Sequence, residues 1–197
     1  MKFSISLPLV LALLPGLLFQ SCKKTPIYLL GGPELPEEMP AVTTEGKNTF
    51  GCYVDGELWL PRKKTFLYGG AVESSYNQDS GYLDLKLFRD VSEKPSSYME
   101  FSAGVANEIR DTGIYRLYLR KENTWGYRKG SATFYRDETS YYDSNFYYTD
   151  TLRPVVIHII KLDRVKRIIA GTFEFSPYNK YLQKEVRITG GRFDFIY

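Results

Sequence analysis

The chain has 197 residues, 26 Lys+Arg against 23 Asp+Glu, and a formal net charge of +3. A balance that even excludes a nucleic-acid binder of the strongly basic type, and two Cys with one His exclude zinc fingers, disulfide scaffolds and His-based metal clusters. Aromatic residues make up 16%, with 17 Tyr, which excludes a mainly disordered chain; no cofactor is expected.

Residues 1–21 read as a lipoprotein signal peptide. Lys2 supplies a small positive start, and Ile5 to Phe19 is apolar apart from Ser6. Pro8, Pro15 and Gly16 break that run, leaving it too short and too interrupted to span about 30 Å of hydrocarbon. Ser21-Cys22 follows. A small residue and a Cys after an apolar stretch resemble a bacterial lipoprotein signal, although Phe19 and Gln20 depart from its usual residues. The resemblance implies an acylated Cys22, with the membrane held by lipid. Residues 22–46 then form the lipid attachment and a tether, in which Pro26, Pro33, Pro36, Pro40 and Gly31-Gly32 favour extended, solvated chain.

From residue 47 to 197 a period of two dominates, which predicts a single all-β domain. Thr49–Val54 runs into Asp55-Gly56, the strongest short hairpin signal, and on to Glu57–Leu60. Cys52 in the first strand reads as a small buried hydrophobe. Leu83, Leu85 and Leu87 share a face, as do Met99, Phe101 and Ala103, and Tyr115, Leu117 and Leu119. Short strands over 132–136 and 146–149 lead to 155–162, which is apolar on both faces and therefore expected to be internal and covered. Strands over 167–176, 184–189 and 192–197 finish the domain, the last two predicted as a hairpin across Gly190-Gly191. About ten antiparallel strands must hide their edges, so an antiparallel β-sandwich is expected, with a lipocalin-like, partly closed barrel as the alternative.

Gly46-Lys47-Asn48-Thr49-Phe50-Gly51-Cys52-Tyr53-Val54-Asp55-Gly56, Gly171-Thr172-Phe173-Glu174-Phe175 and Ile188-Thr189-Gly190-Gly191-Arg192-Phe193-Asp194 together resemble a family of Bacteroidetes lipoproteins known as a domain of unknown function. The acidic, Pro-rich lead-in Glu34–Pro40 is similar as well. The likeness brackets residues 46–197 and is loose over 62–150. It implies a secreted, mostly β lipoprotein and brings no catalytic residues with it. In that phylum an acidic run after the lipid Cys goes with export to the cell surface; Lys23-Lys24 stands here instead, so the expectation is an outer-membrane anchor facing the periplasm.

Three sets of residues are candidates for chemistry. His158, mid-strand among Val156, Ile157, Ile159 and Ile160, is expected to be largely covered and hydrogen-bonded in the sheet. Asp84, Glu100, Glu174 and Asp194 could supply the two acids of a glycoside hydrolase, but each alternates with apolar residues and is expected to face solvent. Residues 77–81 echo a calcium loop without its acidic ladder and read as a polar turn. The third set lies between Tyr115 and Tyr148, where tyrosines interleave with basic residues. Tyr118, Trp125, Tyr127, Arg128, Tyr135, Tyr141 and Tyr142 have the composition of a binding surface; the alternative is that strands favour Tyr, which covers a sheet face while wetting its hydroxyl. The sequence thus predicts a lipid-anchored envelope protein with a binding or structural role toward a glycan, peptide or protein partner and no nucleic acid; the alternative is a carboxylate-dependent hydrolase acting on envelope or dietary glycans.

Overall fold

Alternation of apolar and polar residues becomes alternation of burial. Across Tyr82–Arg89 the leucines at 83, 85 and 87 are buried and the residues between them are half-buried, each leucine contributing about 1.5–3 kcal/mol by leaving water. The computed structural model describes residues 38–62, 70–90, 95–103, 108–117 and 132–197. Cys22, Tyr118, Trp125, Tyr127 and Arg128 lie outside the described residues.

The described strands are β1 (Thr49–Val54), β2 (Glu57–Trp59), β3 (Val72–Asn77), β4 (Tyr82–Arg89), β5 (Ser97–Ala103), β6 (Gly113–Leu117), β7 (Ala132–Arg136), β8 (Phe146–Tyr148), β9 (Val155–Asp163), β10 (Ile168–Phe175), β11 (Tyr178–Asn179), β12 (Lys184–Glu185) and β13 (Ile188–Ile196). They form two antiparallel sheets. Sheet A has the order β2-β1-β13-β10-β9-β6, and sheet B the order β12-β11-β8-β7-β5-β4-β3. The fold is a β-sandwich, not a closed barrel. Rings cross between the sheets: Phe101 of β5 lies 4.8 Å from Phe173 and 6.3 Å from Phe175 of β10, centroid to centroid.

Local chemistry sets several of the joins. Asp55 and Gly56 take φ of 52° and 86°, the pair of positive values that a tight two-residue hairpin requires, and β1 pairs with β2 across them. Cys52 is fully buried, and burial pushes its thiol far above the ordinary range. The native protein should therefore react with a thiol reagent only as fast as it opens, with one thiol from Cys52 appearing in denaturant. Fast labelling of folded protein at Cys52 would contradict this placement.

Gly190-Gly191 does not turn the chain. β13 runs through both, and Gly190, at φ 58°, belongs to a bulge: Arg192 pairs with Gly51, yet Thr189 already pairs with Tyr53. What needs the second glycine is a ring. Gly171 pairs with Phe193 and Phe173 pairs with Gly191, so each phenylalanine lies over the glycine of the opposite strand. A Cβ at Gly191 would stand 2.5 Å from the Phe173 ring, and one at Gly171 2.4 Å from the His158 carbonyl oxygen and 2.9 Å from the Phe193 ring. Two of the sequence phrases that carry the family resemblance thus meet as one reciprocal glycine–phenylalanine interlock in the middle of sheet A.

Residues 38–47, sequence-predicted as tether and strand lead-in, lie against the outer face of sheet A. Met39 and Pro40 pack over Gly51, and Arg192 donates to the Pro40 carbonyl at 2.8 Å. Asp194, expected to face solvent, is instead fully buried beneath this strap. Its carboxylate accepts from Thr43 Oγ1 at 2.6 Å and from the amides of Gly46, Glu45 and Lys47 at 2.7, 3.0 and 3.2 Å. Burial alone would favour the protonated acid, but these donors together outweigh it and hold the carboxyl below its usual range.

Candidate functional site

The outer face of sheet B carries rings where outward positions of a half-wet sheet normally carry polar groups. Phe88 opposes Tyr98, Tyr98 opposes Tyr135, and Tyr135 opposes Phe146, so four rings line up across β4, β5, β7 and β8. Successive centroids are 5.9, 5.2 and 5.1 Å apart. Tyr98 and Tyr135 stack within 13°, and Phe146 lies parallel to Tyr148 within 7°. The cross-strand pairs among these stabilise the sheet by about 0.5–1.5 kcal/mol each beyond their burial, whereas Phe146 and Tyr148 are neighbours on β8. Burial also raises the phenol pKa of Tyr98 and Tyr135. Tyr135, a predicted contact residue, is therefore a supporting ring, packed against Tyr98, Tyr142 and Phe146.

Tyr141 and Tyr142 are placed differently. They begin the short 3-10 turn before β8 and are 62% and 61% exposed. The turn beneath them is locked by side chains. Asn145, 1% exposed, accepts from the amides of Glu138 and Thr139 and donates to the Thr139 carbonyl. Ser144 donates to the Tyr141 carbonyl at 2.8 Å. Asn179, fully buried at the end of β11, donates to the Ser144 carbonyl, and its other side-chain atom accepts from the amides of Tyr181 and Leu182 at 2.9 Å. That one side chain ties the turn carrying Tyr141 and Tyr142 to the turn carrying Tyr181, itself 58% exposed. Buried, satisfied polar groups of this kind fix a loop in a single geometry.

Of the four candidate carboxylates only Asp84 and Glu100 come together, and they do so around a cation. Asp84 and Glu100 lie on the outer face of sheet B and share Lys86, whose Nζ is 3.9 Å from one and 3.7 Å from the other. Burial raises the Asp84 pKa against the pull of Lys86, and Glu100 and Asp84 together raise that of Lys86. Glu174 is exposed on sheet A, and Asp194 is under the strap. Among the described residues no group of three His, Cys, Asp or Glu converges to hold a metal ion.

His158 is exposed, against the expectation of a covered histidine. Its face of β9 looks outward beside Ile114 of β6 and Thr172 of β10, where it lines a shallow cavity of about 360 Å³ with Val156, Glu174 and Arg192. Residues 77–81 form the predicted polar turn, with Asn77 Oδ1 accepting from the amides of Asp79 and Ser80.

Of the predicted contact residues, the structure brings together Tyr135, Tyr141 and Tyr142. Sequence reasoning missed Phe88, Tyr98 and Phe146 beside them, and Tyr181 on the turn joined to theirs through Asn179. The signal was there in part, as aromatics at alternating strand positions and an Asn two residues before Tyr181. Compared with protein-family models, with curated proteins and with solved structures, the chain gives no match in any of the three.

Proposed function

We propose that this protein is an envelope lipoprotein, anchored through acylated Cys22 in the outer membrane and facing the periplasm, whose β-sandwich binds a ligand by the aromatic surface of sheet B. The likeness of its opening and closing motifs to Bacteroidetes lipoproteins belongs to the same proposal. One observation carries the binding role: buried Asn145, Asn179 and Ser144 hold Tyr141 and Tyr142 rigidly in solvent, on an edge backed by an aromatic ladder. Exposed apolar area held in place, with its ordering cost already met in folding, is what a binding surface needs.

Binding is favoured over hydrolysis by the placement of the acids. Glycoside hydrolysis needs two carboxyl groups about 5–10 Å apart across a space that admits the substrate, whereas Lys86 stands between Asp84 and Glu100. Mass spectrometry of membrane-extracted protein should find an acylated Cys22 as the first residue. Replacing Cys22→Ala should release the protein from the membrane fraction, and a variant that remained bound would overturn the anchor.

A further inference from the structure

Tyr141, Tyr142 and Tyr181 stand on two turns that share the Asn179 side chain, through its bonds to Ser144, Tyr181 and Leu182. Most of the described charges around them are paired with one another. Arg153 binds Asp150 at 2.6 Å and Glu185 at 3.3 Å, Lys184 lies 4.0 Å from Glu138, and Arg187 is 3.9 Å from Glu185. Lys180 is folded over the Tyr181 ring, with its Nζ 5.0 Å from the centroid. This edge therefore presents flat rings and phenol hydroxyls with no field of a single sign. A charged polymer or peptide gains less there, because most of the ion pairs it made would compete with ones already formed.

Resting on the reading above, we propose that Tyr141, Tyr142 and Tyr181 form one platform for an uncharged pyranose chain. The chemistry matches on both sides. A pyranose offers an apolar C–H face to lie on a ring and hydroxyls at its rim to exchange hydrogen bonds with phenols. Tyrosine gives this contact with only two side-chain torsions to immobilise, and the turns are already fixed by Asn145 and Asn179. Within the platform, Tyr142 packs against Tyr135 and Phe146 of the half-buried ladder.

The test is an array of neutral oligosaccharides, uronic-acid oligosaccharides and peptides, probed with residues 23–197, which contain every described strand. Wild type would be compared with Tyr141→Ala/Tyr142→Ala and with Tyr181→Ala, after unchanged melting temperatures have shown that these exposed positions leave the fold intact. The expected result is binding to neutral glycans, weakened at least tenfold in both variants. Binding only to acidic glycans or peptides, lost in the variants, would overturn the ligand class and leave the aromatic-surface reading standing. Neutral-glycan binding lost in the double variant but untouched by Tyr181→Ala would overturn the joined platform. Binding that neither variant alters, or no binding at all, would overturn both this inference and the reading on which it rests.

Discussion

Replacing Asp194→Ala is expected to destabilise the domain by about 3–5 kcal/mol, since a buried donor left without its acceptor costs about 1–3 kcal/mol and four donors converge on this carboxylate. Asp194→Asn should cost less, because one oxygen still accepts while the amide nitrogen faces donors. The pH dependence has a defined sign. The folded carboxyl titrates below its ordinary value of 3.8, so the stability it supplies is fully present above that value. It is lost as pH falls through the folded pKa. Urea melts of wild type should therefore weaken at strongly acidic pH by more than those of Asp194→Asn. Parallel acid profiles would mean that this carboxylate does not hold the strap as a charge.

The second large effect is expected at Gly171. A methyl group there would meet the His158 carbonyl at 2.4 Å, and backbone of an internal strand cannot step aside as a side-chain tip can. Gly171→Ala should cost about 3 kcal/mol or more and lower the thermal midpoint accordingly. Gly191→Ala should be comparable, since both the ring and the carbonyl of Phe173 stand 2.5 Å away. An alanine at Gly56, whose Cβ would have open space around it, serves as the comparison: its cost comes from positive φ alone, about 1–2 kcal/mol. Near-equal losses at 56 and 171 would show that the interlock tolerates an added carbon.

The strands were legible where one face is wet, because burial then leaves a period of two. β4 and β5 announce themselves through Leu83, Leu85 and Leu87 and through Met99, Phe101 and Ala103. β3 does not, since only Tyr76 of its six residues is buried, and its pairing comes from β4. What the chain could not disclose is contact between distant segments. Asp194 occupies a polar position of an alternating strand, and the residues that bury it begin at Thr43, 151 positions away. The two glycines at 190 and 191 have the local form of a turn, and only Phe173 on the neighbouring strand makes them part of a continuous one. His158 was expected to be covered because its strand is apolar on both faces, yet the outer face of sheet A leaves it exposed. The aromatic residues were legible one by one. Their alignment across four strands is a matter of register, which composition does not carry.

The measurement that bears most directly on the binding role is amide chemical-shift mapping of residues 23–197 titrated with neutral oligosaccharides from the cell envelope. Saturable shifts confined to residues 133–148 and 178–182 are predicted. Shifts centred instead on Ile114, His158, Glu174 and Arg192, which line the cavity on the opposite sheet, would contradict the account.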